Sequence, residues 1–257
     1  MYIFQKIAIL FFCSVFLLSC GEDDSTSATT VKFAFNHQWN GEDIDIFNAD
    51  NIEFETANGE LISIERLRYL ISDITLTTEN GNIVGLEGYH LIDINQSATL
   101  NYDSFIEVPT GNYSNVAFRF GFDDTDNIDG AYPDLNVANW SVPGMLGGGY
   151  HFMQLEGRFI HESGDELNYQ FHTIRAAQNP GPDVETTDTS FTVNLGSTII
   201  SANETITINV DLAEWFKNPH IWNLSEKYTT LMPDYDAQIT MSQNGPSVFS
   251  LNDSLNP

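Results

Sequence analysis

The chain has 257 residues, and 9 basic against 36 acidic side chains give it a formal net charge of −27 at pH 7. Such a field repels polyphosphate instead of releasing its counterions, so nucleic acid and anionic membrane surfaces are excluded as partners and cations are its natural ligands. It has two cysteines, Cys13 and Cys20, and both lie in the first twenty residues.

That N-terminal stretch, "MYIFQKIAILFFCSVFLLSC", has a short leader with Lys6, an apolar run from Ile7 to Leu18, and then "LLSC" before Gly21. The run is short for a bilayer span, and a small residue followed by Cys and Gly is a lipoprotein cleavage site. The expectation is a signal peptide over 1–19 and a lipid on Cys20 that attaches the protein to the membrane. Cleavage would remove Lys6 alone among the charged residues, leaving 8 against 36, or −28. Cys13 leaves with the signal and Cys20 carries the lipid, so the mature domain has no thiol for a disulfide or a zinc–cysteine site. A metal there must be held by His, Met or carboxylate. "GEDDSTSATT" then reads as an acidic, Ser/Thr-rich tether over 20–30. Its "EDD" resembles the export signal of surface lipoproteins of Bacteroidota, so the expected location is the outer membrane, facing periplasm or medium.

From Val31 to Pro257 the pattern has period two. "VKFAFNHQW", "ERLRYLISDITLTT", "NYSNVAFRFGF", "GYHFMQLEGRFI", "LNYQFHTIRA", "TSFTVNL" and "ETITINVDL" are β-branched and aromatic runs, divided by "ENGN", "VPTGNY", "ESGDE" and "NPGPD". These runs predict one all-β domain over 31–257, an antiparallel sandwich or barrel. Helix is scarce: "DLAEWFKNP" has capping-box spacing between Asp211 and Glu214 and a stop at Pro219, and "LSEKYTTLM" is a second short candidate.

Several chemistries find no support. The chain contains no G-x-S-x-G elbow, H-E-x-x-H pair, Walker loop or dinucleotide fingerprint. The acidic loop "FDDTDNIDGAYPDLN" offers Asp124, Asp126 and Asp129 as hard oxygens for calcium, but Ile128 and Leu135 stand where an EF-hand loop needs ligands. A solvated acidic turn explains the same residues.

The stretch "GMLGGGYHFMQLEG" puts Met145, His151 and Met153, residue types that accept copper, around three glycines. Read as a strand, it places His151, Met153 and Leu155 on one face and Tyr150, Phe152, Gln154 and Glu156 on the other. A core stripe with one satisfied histidine accounts for the pattern equally well. The six histidines show no i, i+2 or i, i+4 clip, so a metal site must be assembled from separate strands.

The order "FNHQWNGEDI", "NGELISIERLRYLISDITLTTENG", "GYHLIDI", "VPTGNYSNVAFRFGFDDTDN", "GMLGGGYHFMQLEG", "YQFHTI", "INVDLAEWF" and "SVFSL" resembles the MbnP-like copper-binding domain family, found beside methanobactin genes and in Bacteroidota lipoproteins. The resemblance implies an envelope all-β domain that binds copper through histidines, with His37, His90 and His172 on the family's positions and His151, Met153 and Met145 second in rank. It also implies a partner, a di-haem enzyme of the cytochrome c peroxidase type, that oxidises a tryptophan near the copper. The chain departs from the family at Gly147–Gly149, where tryptophans usually stand, which leaves Trp140 or Trp39 to substitute. The expected role is copper acquisition or handling without catalytic turnover. The alternatives are an envelope binding or adhesion module that keeps the fold without the metal, or a calcium-stabilised binding domain.

Overall fold

The computed structural model describes residues 27–45 and 49–252. The signal peptide, Cys20 and most of the tether lie outside the described residues. The first strand, β1 (Ala28–Trp39), begins three residues before Val31, because Ala28, Thr29 and Thr30 pair with Pro109, Val108 and Glu107 instead of belonging to the tether. Threonine favours that extended state.

In chain order there follow β2 (Glu42–Asp43), β3 (Phe54–Glu55), β4 (Leu61–Ile62), the long β5 (Arg66–Thr78) and β6 (Ile83–Asp93). A turn leads to β7 (Asn101–Pro109) and β8 (Gly111–Phe120), then to a long excursion holding the short helix α1 (Pro133–Val137). The chain returns as the hairpin β9 (Met153–Ile160) and β10 (Glu166–Thr173), then β11 (Ala176–Gln178), β12 (Glu185–Thr187), β13 (Phe191–Ile200) and β14 (Thr205–Asp211). Helix α2 (Tyr235–Asn244) and β15 (Phe249–Leu251) end it.

The fold is all-β, as the period-two pattern predicts. One sheet runs β15-β14-β1-β2 with β7 also on β1, the larger runs β13-β8-β5-β9-β4-β3 with β6 on β5 and β10 on β9, and β11 and β12 pair by themselves. The named pairings are antiparallel except one: β1 lies parallel to β14 from Lys32↔Thr205 to Gln38↔Asp211. A parallel neighbour needs a long crossover, and the whole second sheet supplies it.

Alternation decides what fills the space between the sheets. Along β1, Val31, Phe33, Phe35, His37 and Trp39 point inward, and along β5 Leu67, Tyr69 and Ile71 meet them. Phe120 stacks on Phe191 at 4.9 Å and meets Trp215 at 5.2 Å, contacts worth about 0.5–1.5 kcal/mol each beyond their burial.

The helices differ from expectation. "DLAEWF" forms a single 3-10 turn, Leu212–Phe216, capped by Asp211 on the Ala213 N–H. "LSEKYTTLM" is irregular, and the helix lies just after it at Tyr235–Asn244, where the Asp234 carboxylate accepts from Ala237 N–H. That cap, and Pro133 in the first turn of α1, are start signals that weak amphipathic patterning obscured.

Candidate functional site

The face of the larger sheet turned away from the core carries the chemistry. The turn at 161–165 sets the register of the β9–β10 hairpin, so that His172 pairs with Gln154 and Gln170 with Glu156. Tyr169, Phe171 and Thr173 turn into the core, hence His172 and Glu156 stand outside it. His172 Nε2 is 2.8 Å from Glu156 Oε1, and Arg66 on β5 holds the same carboxylate at 3.3 Å. The hydrogen bond from His172 keeps Glu156 below the usual carboxylate range against the opposing effect of burial, with Arg66 adding to it.

Over this face folds the loop from 121 to 152. Gly147, Gly148 and Gly149 all have positive φ, and a Cβ on Gly149 would lie 2.3 Å from Asn127 Oδ1. The glycines let the loop double back, and Tyr150 N–H then donates to Asn127 Oδ1 at 2.7 Å. His151 follows, with Nδ1 2.9 Å from the Trp140 carbonyl. Its ring lies 5.6 Å from the Trp140 ring and 5.6 Å from the His172 ring, edge to face at 83°. Burial lowers its pKa to about 4, so the imidazole is neutral at pH 7. The Arg68 guanidinium sits over the Trp140 ring at 4.9 Å and donates to Ala138 O and Gln154 Oε1. Trp140 is fully buried, and its indole N–H has no partner among the described residues.

His37, His90 and His172 do not converge. His37 points into the core, where it shares a hydrogen bond with the Tyr69 hydroxyl at 3.2 Å, and burial lowers its pKa to about 4. His90 shares the core-facing side with its pairing partner Ile71, packs at 5.4 Å from Tyr102, and binds the Thr99 carbonyl at 2.7 Å. His172 is on the other side of the sheet. Among the described residues no three His, Cys, Asp or Glu side chains are grouped so as to hold a metal ion.

His151 and Met153 do not share a face, contrary to the strand reading of "GYHFMQLEG". The strand starts only at Met153, Tyr150 bridges Ser141, and the alternation does not extend back through the glycine loop. Met153 is buried in the core and Met145 is exposed. The acidic loop does not form a cup either. Asp124 pairs with Arg175, Asp129 accepts from Gly149 N–H, and Asp126 faces Asp123, Asp73 and Arg119. Its work in the fold is to dock the glycine loop.

Sequence reasoning named Trp140 as a substitute but missed the pairing of His151 with His172 and the parts of Glu156 and Arg68. The hairpin turn "ESGDE" could have placed His172 beside Gln154 and Glu156. Nothing local signals that the glycine loop delivers His151 to the same spot.

The family model for MbnP matches residues 28–233. The chain belongs to the MbnP family. MbnP from Methylosinus trichosporium, a solved structure, superposes with a TM-score of 0.58 at 15% identity, covering 88% of this chain and 99% of that one. That likeness shows the MbnP fold. No curated protein matches the chain.

Within this MbnP domain, two imidazoles meet beside a tryptophan, each with one ring nitrogen on an oxygen. Such outer oxygens are what orients metal-binding histidines. Two imidazoles sharing an ion through bonds of about 2 Å hold their ring centres roughly 6 Å apart, close to the spacing here. The ring spacing matches that of two nitrogen ligands on one ion, and among the described residues no third His, Cys, Asp or Glu joins them.

Proposed function

We propose that the chain is a lipid-anchored envelope protein that binds copper at the His151–His172 pair, for acquisition or handling of the metal and without turnover of its own. Its anchor would be the lipid on Cys20 and its place the outer membrane. Family membership supports a metal-related role, and the single observation that carries the assignment is the 5.6 Å approach of His151 to His172. Imidazole suits copper, which its position in the affinity order favours over other divalent first-row metals.

The pair replaces the set His37, His90 and His172, of which only His172 is retained. Of the two substitute tryptophans, Trp140 lies beside the pair, whereas Trp39 is across the core with its indole N–H on the Glu55 carbonyl. A di-haem partner would find Trp140 behind Arg68, buried and next to the copper ligands.

Metal analysis of protein from copper-supplemented cells tests the assignment. Wild type and His37→Ala should carry equal copper, while His151→Ala and His172→Ala should each lose most of it. Equal copper in all four would reject the pair. One observation favours the second reading, a binding module without metal: the described residues offer no third His, Cys, Asp or Glu ligand at the pair. Under that reading wild type itself carries no copper.

A further inference from the structure

The two histidines are held in opposite ways. His151 offers its Nδ1 to a backbone carbonyl, Trp140 O at 2.9 Å, and His172 offers its Nε2 to a carboxylate oxygen, Glu156 Oε1 at 2.8 Å. A carbonyl has no proton to give, and neither has an ionised carboxylate, so in both contacts the ring nitrogen is the donor. A neutral imidazole carries one N–H, and placing it fixes the other nitrogen as the one with a free lone pair. That leaves His151 Nε2 and His172 Nδ1, and among the described residues no hydrogen bond occupies either atom.

Both acceptors are themselves held. Glu156 sits on β9 with Arg66 across from it on β5, at the register Arg66↔Glu156, and the two carry an ion pair at 3.3 Å. The Trp140 carbonyl also accepts the His151 backbone N–H at 2.9 Å, while the Trp140 indole is fixed by burial and by the Arg68 guanidinium. His151 is thus clamped to residue 140 through backbone and ring alike.

We propose that Glu156 and the Trp140 carbonyl are positioning groups that set the two rings in opposite tautomers, so that His151 Nε2 and His172 Nδ1 are the atoms presented to copper. The inference rests on the reading of the pair as a copper site, but its first half concerns the metal-free protein and stands or falls separately. Glu156 is the residue that can be altered by mutation, since the Trp140 contact is main chain. Arg66 acts one step further out by keeping the carboxylate turned toward His172.

Nitrogen NMR of the protein labelled with 15N-histidine, recorded without metal and then with copper(I), reads the tautomers and the metal-bound atoms directly. Without metal, His151 should appear as the Nδ1–H form and His172 as the Nε2–H form, and copper(I) should shift His151 Nε2 and His172 Nδ1. Glu156→Leu should turn His172 into a mixture of tautomers and weaken copper binding about 10- to 100-fold, the usual cost of losing such an outer partner. Glu156→Gln, which keeps an oxygen acceptor, should restore most of the tautomer preference and the affinity, and unchanged melting of all three proteins separates positioning from folding. A His172 found as Nδ1–H without metal, or one indifferent to Glu156→Leu, would overturn the inference. Correct tautomers with no copper-induced shift would leave the tautomer assignment intact and sink the copper reading instead.

Discussion

His37 and His151 show how one physical cause serves two ends. Burial lowers both pKa values to about 4, while the unfolded chain titrates near about 6.5. Between those values the unfolded state takes up a proton that the folded state refuses, so stability is complete above about pH 7 and falls as pH drops through the window, by at most roughly 3 kcal/mol per histidine. His37, whose ring has only the Tyr69 hydroxyl as hydrogen-bond partner among the described residues, is the cleaner case. Urea unfolding at neutral pH and near about pH 5 should show the loss, and His37→Gln, which keeps a polar partner for Tyr69, should flatten it; an equal pH dependence in both proteins would refute the assignment to His37. At this scale the sequence displayed the histidines but not their company. His172 opposite Gln154 was readable from the hairpin turn, whereas Trp140 and His151 meet only because a loop of irregular backbone brings them together, and no periodicity encodes that.

The glycine loop is the element on which the site depends. Gly149 has φ +77° and its missing Cβ would fall 2.3 Å from Asn127 Oδ1, the atom that receives Tyr150 N–H. Gly149→Ala therefore meets both a left-handed backbone penalty and a clash. It should cost at least about 2 kcal/mol in chemical unfolding and displace His151, whereas Gly164→Ala, with φ +87° but open space around it, should cost less. Equal costs would mean that the close packing of the loop is not what its glycine serves. The strands β1, β5, β8, β10, β13 and β14 were legible because alternation and turn residues agree along them. Strand β9 was read four residues too long at its start, since Tyr150, His151 and Phe152 continue the apolar pattern of "MQLEG" while the His151 N–H turns to the Trp140 carbonyl instead of a neighbouring strand. Helix α2 was missed because Ile239 and Thr240 are poor helix formers and its placement comes from the Asp234 cap and from packing of Ala237 and Met241 against the core.

At the scale of the whole molecule, the space between the two sheets and the outer face of the larger one separate two roles. His37 and His90 face inward and serve the core, while His151, His172 and Glu156 lie on the outer face under the 121–152 loop. The net charge of −27 acts on everything at once. It concentrates cations around the domain and opposes its compactness, so the melting temperature should rise from low to physiological ionic strength as the Debye length falls to about 8 Å; a melting temperature independent of sodium chloride would show that self-repulsion is not limiting. The same field would draw copper toward the pair without selecting it, and selection must come from the imidazoles.

The most direct measurement of the copper assignment is an anomalous difference map, at the copper absorption edge, from crystals of the protein grown with the metal. A single strong peak is expected between His151 and His172, within about 2 Å of a ring nitrogen of each. A peak at His37 or His90, or none at the pair when copper is bound in solution, would contradict it.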